Sequence, residues 1–278
     1  SHGATPFGNR LRARPRASRW APEMFAVNGS PGVTNMTAAL QLALNTGRAR
    51  INGVYRSMPL AVNTAVDVEF GGTITRHPSA ATGSFIVFNA DVLIDGRGKL
   101  DLNKENTTTG CHGIRVNAPA LKVGIFNMTI RGAKAVSGWG DGISIGTGQD
   151  ASSDIRVAGC TSEDNDGAGI SGADIRNGDL FNNRCLRNGG NGIFLNNFDQ
   201  TFTQKIRWTR VRHNLCSFNV GSGIGVGNYI EDNNISSGVR LFGFNNMEAT
   251  DIVIEGNTCE SNGVYGIAVA ALGVSVLG

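Results

Sequence analysis

One short phrase, Gly-Ile followed by alternating residues, returns six times along the chain: Gly113-Ile114-Arg115-Val116, Gly142-Ile143-Ser144-Ile145, Gly169-Ile170, Gly192-Ile193-Phe194-Leu195, Gly223-Ile224-Gly225-Val226 and Gly266-Ile267-Ala268-Val269. Successive glycines lie 29, 27, 23, 31 and 43 residues apart. Self-similarity at such a period marks a chain built from stacked supersecondary units. A second phrase precedes several copies, as Val123-x-Ile125-x-Asn127, Ile155-x-Val157-x-Gly159 and Ile252-x-Ile254-x-Gly256. Both phrases alternate with period two, as short strands do when every second side chain points inward. Cys185, Cys216 and Cys259 each stand three residues before an asparagine (Asn188, Asn219, Asn262) and seven before a repeat glycine. Cys160 is out of this register, and Ser162 takes the place three before Asn165.

Strands this short cannot bury a face alone, so the copies must stack on one another. The chain has 39 Gly and 28 Asn but only 7 Pro among 278 residues. Such a composition suits left-handed turn positions and disfavours a helical bundle. The expected architecture is all-β: a right-handed parallel β-helix over residues 49–278, with each coil adding about 4.8 Å along the axis. The three cysteines then form an interior column. In-register side chains point the same way, five is an odd number and there is no Cys-x-x-Cys pair, so free thiols are expected. Met36, Ala39, Leu40, Ala43 and Leu44 fall at helical spacing. They predict an amphipathic helix within residues 32–48, with Thr34 or Asn35 as N-cap and Gly47 as the stop, covering the open end of the first coil. Residues 1–31 read as an extended arm carrying Arg10, Arg12, Arg14, Arg16 and Arg19 without an acid among its first twenty positions. After Gly266 the chain runs through Ile267-Ala268-Val269-Ala270-Ala271-Leu272 without a polar cap. A longer native chain or a covering partner is expected there, and Ser1-His2-Gly3 reads as a cloning remnant.

The net charge is +3, and removing the five arm arginines leaves 3 − 5 = −2. A near-neutral body argues against a nucleic-acid partner. The longest apolar stretch, residues 266–278, falls short of the ~18 residues a span needs, so no membrane insertion is expected. Gly221-x-Gly223-x-Gly225-x-Gly227 lies within the strand repeat and not at a strand-to-helix turn. The turn Ser162-Glu163-Asp164-Asn165-Asp166-Gly167 lacks the first and last ligands of an EF-hand. No metal and no cofactor are therefore expected.

Gly32-Val33-Thr34-Asn35-Met36-Thr37-Ala38-Ala39-Leu40-Gln41 resembles the opening of the pectate-lyase-like superfamily, which includes bacteriophage tailspikes and capsule depolymerases. Ile94-Asp95-Gly96-Arg97-Gly98-Lys99-Leu100-Asp101 is similar to a first-coil segment of polygalacturonase-type glycoside hydrolases. The resemblance implies a polysaccharide substrate, a homotrimer, and a place in a virion tail or outside the cell. It implies hydrolysis of glycosidic bonds in a bacterial surface or other acidic polysaccharide. A non-catalytic polysaccharide-binding or structural β-helix and a polysaccharide lyase are the alternatives.

The residues immediately before the repeat glycines are His112, Asp141, Ala168, Asn191, Ser222 and Tyr265, with Asp166 two residues before Ala168. His112, Asp141 and Asp166 on successive coils are the candidate catalytic residues, since glycoside hydrolysis commonly needs two carboxyls about 5 to 9.5 Å apart. Asp164 in the same turn and Asn191 farther along are candidate binding residues. Gly140-Asp141-Gly142-Ile143-Ser144-Ile145-Gly146 resembles the polygalacturonase strand, but without its paired Asp-Asp, and with Asp where the family has a Gly-His-Gly histidine. The competing reading makes Asp141 and Asp166 turn caps. Lys205-Ile206-Arg207 reverses the family's Arg-Ile-Lys. With Arg210, Arg212 and His213 it forms a basic stripe suited to uronate or sialate carboxylates, and alternation places Lys205 and Arg207 opposite Ile206 and Trp208. Trp139 and Tyr229 are candidate sugar-stacking aromatics.

Overall fold

The computed structural model describes residues 18–117, 122–136, 140–146, 152–173, 175–196, 206–227, 248–270 and 272–278. The described strands form three sheets, and the chain visits them in strict rotation. Sheet A has nine strands, from Arg48–Ile51 to Leu272–Leu277; sheet B has eight, from Val54–Ser57 to Thr258–Glu260; sheet C has eight, from Leu60–Val62 to Ile267–Ala270. Every pairing is parallel and joins a strand to its equivalent one coil away, which makes the fold a right-handed parallel β-helix.

The Gly-Ile phrase supplies sheet C. Ile114, Ile143, Ile170, Ile193, Ile224 and Ile267 are successive register partners, and the first five have no exposed surface. Ile125, Val157, Leu180, Val211 and Ile254 form the matching column of sheet A, also fully buried. The cysteines form the expected column in sheet B, where Ser162 pairs with Cys185, Cys185 with Cys216 and Cys216 with Cys259. All five thiols are free. Cys185 and Cys216 are buried and Cys259 is half-buried; contact with the Cys185 thiol pushes the Cys216 thiol above its ordinary range.

From the strand Val123–Phe126 onward, two-residue turns join sheet A to sheet B, and their first residue is left-handed: Asn127, Gly159, Asn182, His213 and Gly256, with φ of 58°, 65°, 54°, 54° and 57°. The turn leaving sheet B repeats this at Asp164, Arg187, Phe218 and Ser261. From the middle coils onward an asparagine follows the left-handed residue and points inward, giving two ladders, Asn183-Asn214-Asn257 and Asn165-Asn188-Asn219-Asn262. Each ladder side chain accepts the backbone N–H of the asparagine one coil earlier, so every turn is tied to the next.

The helix α1 spans Thr37–Asn45, within the expected segment, and Gly47 follows it at φ 77°. The N-cap position is Met36, without a side-chain bond, and not Thr34 or Asn35. Asn35 instead accepts the Thr37 N–H from one residue farther out, at 3.1 Å. The buried Ala39, Leu40, Ala43 and Leu44 join the core formed by Ala49, Ile51 and Val62 of the first coil. In the described part of the arm, Pro22–Met24 forms a 3-10 turn and Trp20 pairs with Ala49 of sheet A; beyond the arm, Asn35 pairs with Arg56 of sheet B. Arg19 pairs with Asp67 and Glu69, while Arg10, Arg12, Arg14 and Arg16 lie outside the described residues.

Candidate functional site

Connection length separates sheet C from the other two. Sheet A meets sheet B through turns of two or three residues, whereas residues 102–110 and 132–142 lead into sheet C, and residues 197–209 and 228–247 lead out of it. Long connections therefore border both edges of one sheet, the place where a repetitive scaffold gains room for function.

At the entry edge of sheet C the residues before the repeat glycines stack as expected. Three of their side chains share one task. His112 Nδ1 accepts the Asp141 N–H at 3.1 Å, Asp141 Oδ1 accepts the Ala168 N–H at 2.8 Å, and Asn191 Oδ1 accepts the Ser222 N–H at 2.7 Å. Since Nδ1 of His112 is an acceptor, the ring carries its proton on Nε2. Burial pushes the His112 pKa below its ordinary value, the Asp141 carboxylate opposes that shift, and Arg115 reinforces it.

Asp141 also accepts a hydrogen bond from Ser171 Oγ to Oδ2, at 2.6 Å, and that oxygen lies 3.5 Å from His112 Nδ1. Its side chain is 21% exposed against 7% for His112, so the carboxylate reaches solvent and the imidazole supports it from beneath. Ser171 binds the carboxylate and not the imidazole, so this is no Ser-His-Asp nucleophile relay, which requires the hydroxyl on the histidine. Arg115 interacts electrostatically with Asp141, and burial depresses the guanidinium pKa.

Arg115, Ser144, Ser171 and Phe194 are register partners on the outward face of sheet C. None of the four is a turn residue, yet each follows the isoleucine of a Gly-Ile phrase, and alternation alone turns it outward.

Asp166 has different partners. Its Oδ2 accepts the Ala135 N–H at 3.0 Å, and its other oxygen pairs with Lys104 Nζ, a residue also missed. The two carboxylates flank a tight contact between coils, where the Gly167 N–H bonds to the Gly140 carbonyl at 2.9 Å. Asp164 sits at the left-handed turn, bound by Arg187 at 2.8 and 3.1 Å, which holds its carboxyl below the usual range. Arg207 and Arg210 belong to sheet A and are not part of the Asp141 cluster. Trp208 corrects the expected alternation: Ile206 is fully buried, but Trp208 has φ 50° and is 56% exposed, because a left-handed residue reverses the side-chain sequence. Lys205, Trp139 and Tyr229 lie outside the described residues. Among the described residues no three histidine, cysteine or acidic side chains gather as a metal would require, and no helix is long and apolar enough to cross a membrane.

No protein-family model and no curated protein matches the chain. Solved structures do. The A-module of a mannuronan C-5 epimerase from Azotobacter vinelandii is similar over 92% of this chain and 76% of its own, with TM-score 0.60 and 15% identity. The Dettilon tailspike protein is similar over 85% of this chain and 50% of its own, with TM-score 0.55 and 17% identity. Tailspike protein 2 of an Escherichia coli O157:H7 bacteriophage is similar over 95% of this chain and 42% of its own, with TM-score 0.51 and 14% identity. The chain thus spans half or less of each tailspike. At these identities the likeness concerns architecture, and it places the chain among the right-handed parallel β-helix proteins.

Proposed function

We propose that the chain is an enzyme acting on an acidic polysaccharide laid along sheet C, with Asp141 as the group that handles the proton. One observation carries this reading: a solvent-reaching carboxylate, a neutral imidazole beneath it and a guanidinium within electrostatic reach meet on the outward edge of the sheet bordered by long connections. The similar β-helix structures, a mannuronan epimerase module and two tailspikes, support the substrate class. In the hydrolytic form, one carboxyl protonates the leaving oxygen while the other directs water or attacks the sugar, with Asp141 and Asp166 as the pair. Arg115 favours a second form, elimination at a uronate, in which the guanidinium binds the sugar carboxylate and stabilises the enolate left by proton abstraction. A homotrimer working outside the cell, in a virion tail or as a secreted protein, completes the proposal.

The competing role is structural, since Asn191 performs the same backbone capping as Asp141 with an uncharged amide. That parallel supplies the test. Asp141→Asn retains the cap and removes the carboxylate, so it should keep the melting temperature and polysaccharide binding while lowering kcat by about 10²–10⁴. New reducing ends without ultraviolet absorbance identify hydrolysis, and an unsaturated uronate chromophore identifies elimination. Full activity in Asp141→Asn overturns the assignment.

A further inference from the structure

The coil from Ile206 to Gly227 departs from its neighbours at all three left-handed positions. Where other coils place Asp154, Asn177 and Asp251, it has Trp208; where others have Asn127, Gly159, Asn182 and Gly256, it has His213; where others have Asp164, Arg187 and Ser261, it has Phe218. Glycine, asparagine, aspartate and histidine tolerate this backbone conformation, whereas the bulky Trp208 and Phe218 are strained in it. Local strain of this kind persists when it is part of a mechanism or is fixed by packing. Packing does not explain Trp208, which is 56% exposed.

Its surroundings are those of a binding platform. The bridge between Arg176 and Arg207 and the pairing of Asp179 with Arg210 set the register. Continued to Val253, this register puts Trp208 between Asn177 on one coil and Asp251 on the next. Asn177 in turn donates to Asp154, so a row of amide and carboxylate groups runs along the axis with the indole set into it. Arg207 and Arg210 flank the indole along the chain. Arg207 Nε is buried without a hydrogen-bond acceptor among the described residues, and Arg210 is exposed.

We propose that Trp208 is the platform of a second glycan site, on sheet A, that binds an anionic pyranose. The indole would stack on the apolar face of the sugar, Arg207 and Arg210 would meet its carboxylate, and Asn177 and Asp251 would meet its hydroxyls. The site takes its ligand class from the reading above but needs no turnover. It would hold a long chain to the protein while sheet C acts on another stretch of it, raising the effective concentration of substrate at the active surface.

The test is calorimetric titration of the full chain with polygalacturonate and with alginate, comparing the wild type with Trp208→Asn and Arg210→Ser. Trp208→Asn should weaken binding about tenfold and leave the melting temperature equal or higher, because asparagine fits the left-handed backbone. Arg210→Ser should weaken binding and flatten its dependence on salt. Unchanged affinity in Trp208→Asn overturns the proposal, as does a lower melting temperature in that variant, which would make the indole a structural group. A wild type that binds neither polymer also overturns it. Asp141→Asn, measured in parallel, should bind as the wild type does, so a failed assignment on sheet C is read separately, from turnover.

Discussion

His112 serves the coil stack and the site through one nitrogen. Its Nδ1 accepts the Asp141 N–H, so protonating the ring would set two N–H groups against each other. Burial already holds the folded pKa below the ordinary 6.5. The unfolded chain therefore takes up the proton first as pH falls, and stability rises with pH across this window. The contribution is complete above about 6.5 and is lost as pH drops through that value towards the folded one. Denaturant unfolding at pH 7.5 and pH 5 should show the loss, and His112→Asn, which can accept the same N–H without titrating there, should abolish it. An equal pH dependence in the variant would detach this histidine from the effect. His112 and Asp141 were legible in the sequence because the repeat fixes the position before each glycine. Arg115 and Ser171 were legible too, through alternation, but attention to turns passed over them. Trp208 was not, since nothing in the local pattern announces that a tryptophan will adopt a left-handed backbone.

At the scale of the element, the turns carry as much specificity as the strands. Asn219 accepts from the backbone and the side chain of Asn188 and donates to the Cys185 carbonyl and to Asn262, each at 2.9 to 3.0 Å. It is 1% exposed, so these partners have no water to fall back on. Asn219→Ala should cost about 2–4 kcal/mol, since truncation leaves a buried donor and a buried carbonyl unpaired. Asn177→Gly, on an exposed turn where glycine keeps the left-handed backbone, should cost under about 1 kcal/mol. Equal denaturant midpoints for the two would remove the ladder from the account of stability. The sequence showed the register of this ladder through the Cys-x-x-Asn spacing, which drew the eye to the thiols. A period locates equivalent residues, but only the inward turn of the amide, set by the left-handed residue before it, reveals that the asparagines bind coil to coil.

At the scale of the whole molecule, the first coil is closed by a helix. At the first coil, α1 lays Leu40, Ala43 and Leu44 against the core, and Trp20 extends sheet A by one residue pair. The outer side of that end is apolar: Met24, Val27 and Leu42 are 62%, 86% and 50% exposed, and Trp20 and Phe25 pack ring to ring at 5.8 Å. Neighbouring apolar groups left in water are what the proposed association would cover. A closed threefold assembly would bury that surface once per chain, without the open growth that unpaired sheet edges invite. The proposed homotrimer predicts a light-scattering particle of three 29.2 kDa chains. Met24→Asp combined with Val27→Asp should return it to single chains with the melting transition of the isolated coil stack intact, because neither side chain belongs to the core cluster. A wild type that stays monomeric at micromolar concentration would reject the trimer. A trimer that survives both aspartates would move the contact from the end of the solenoid to its flanks.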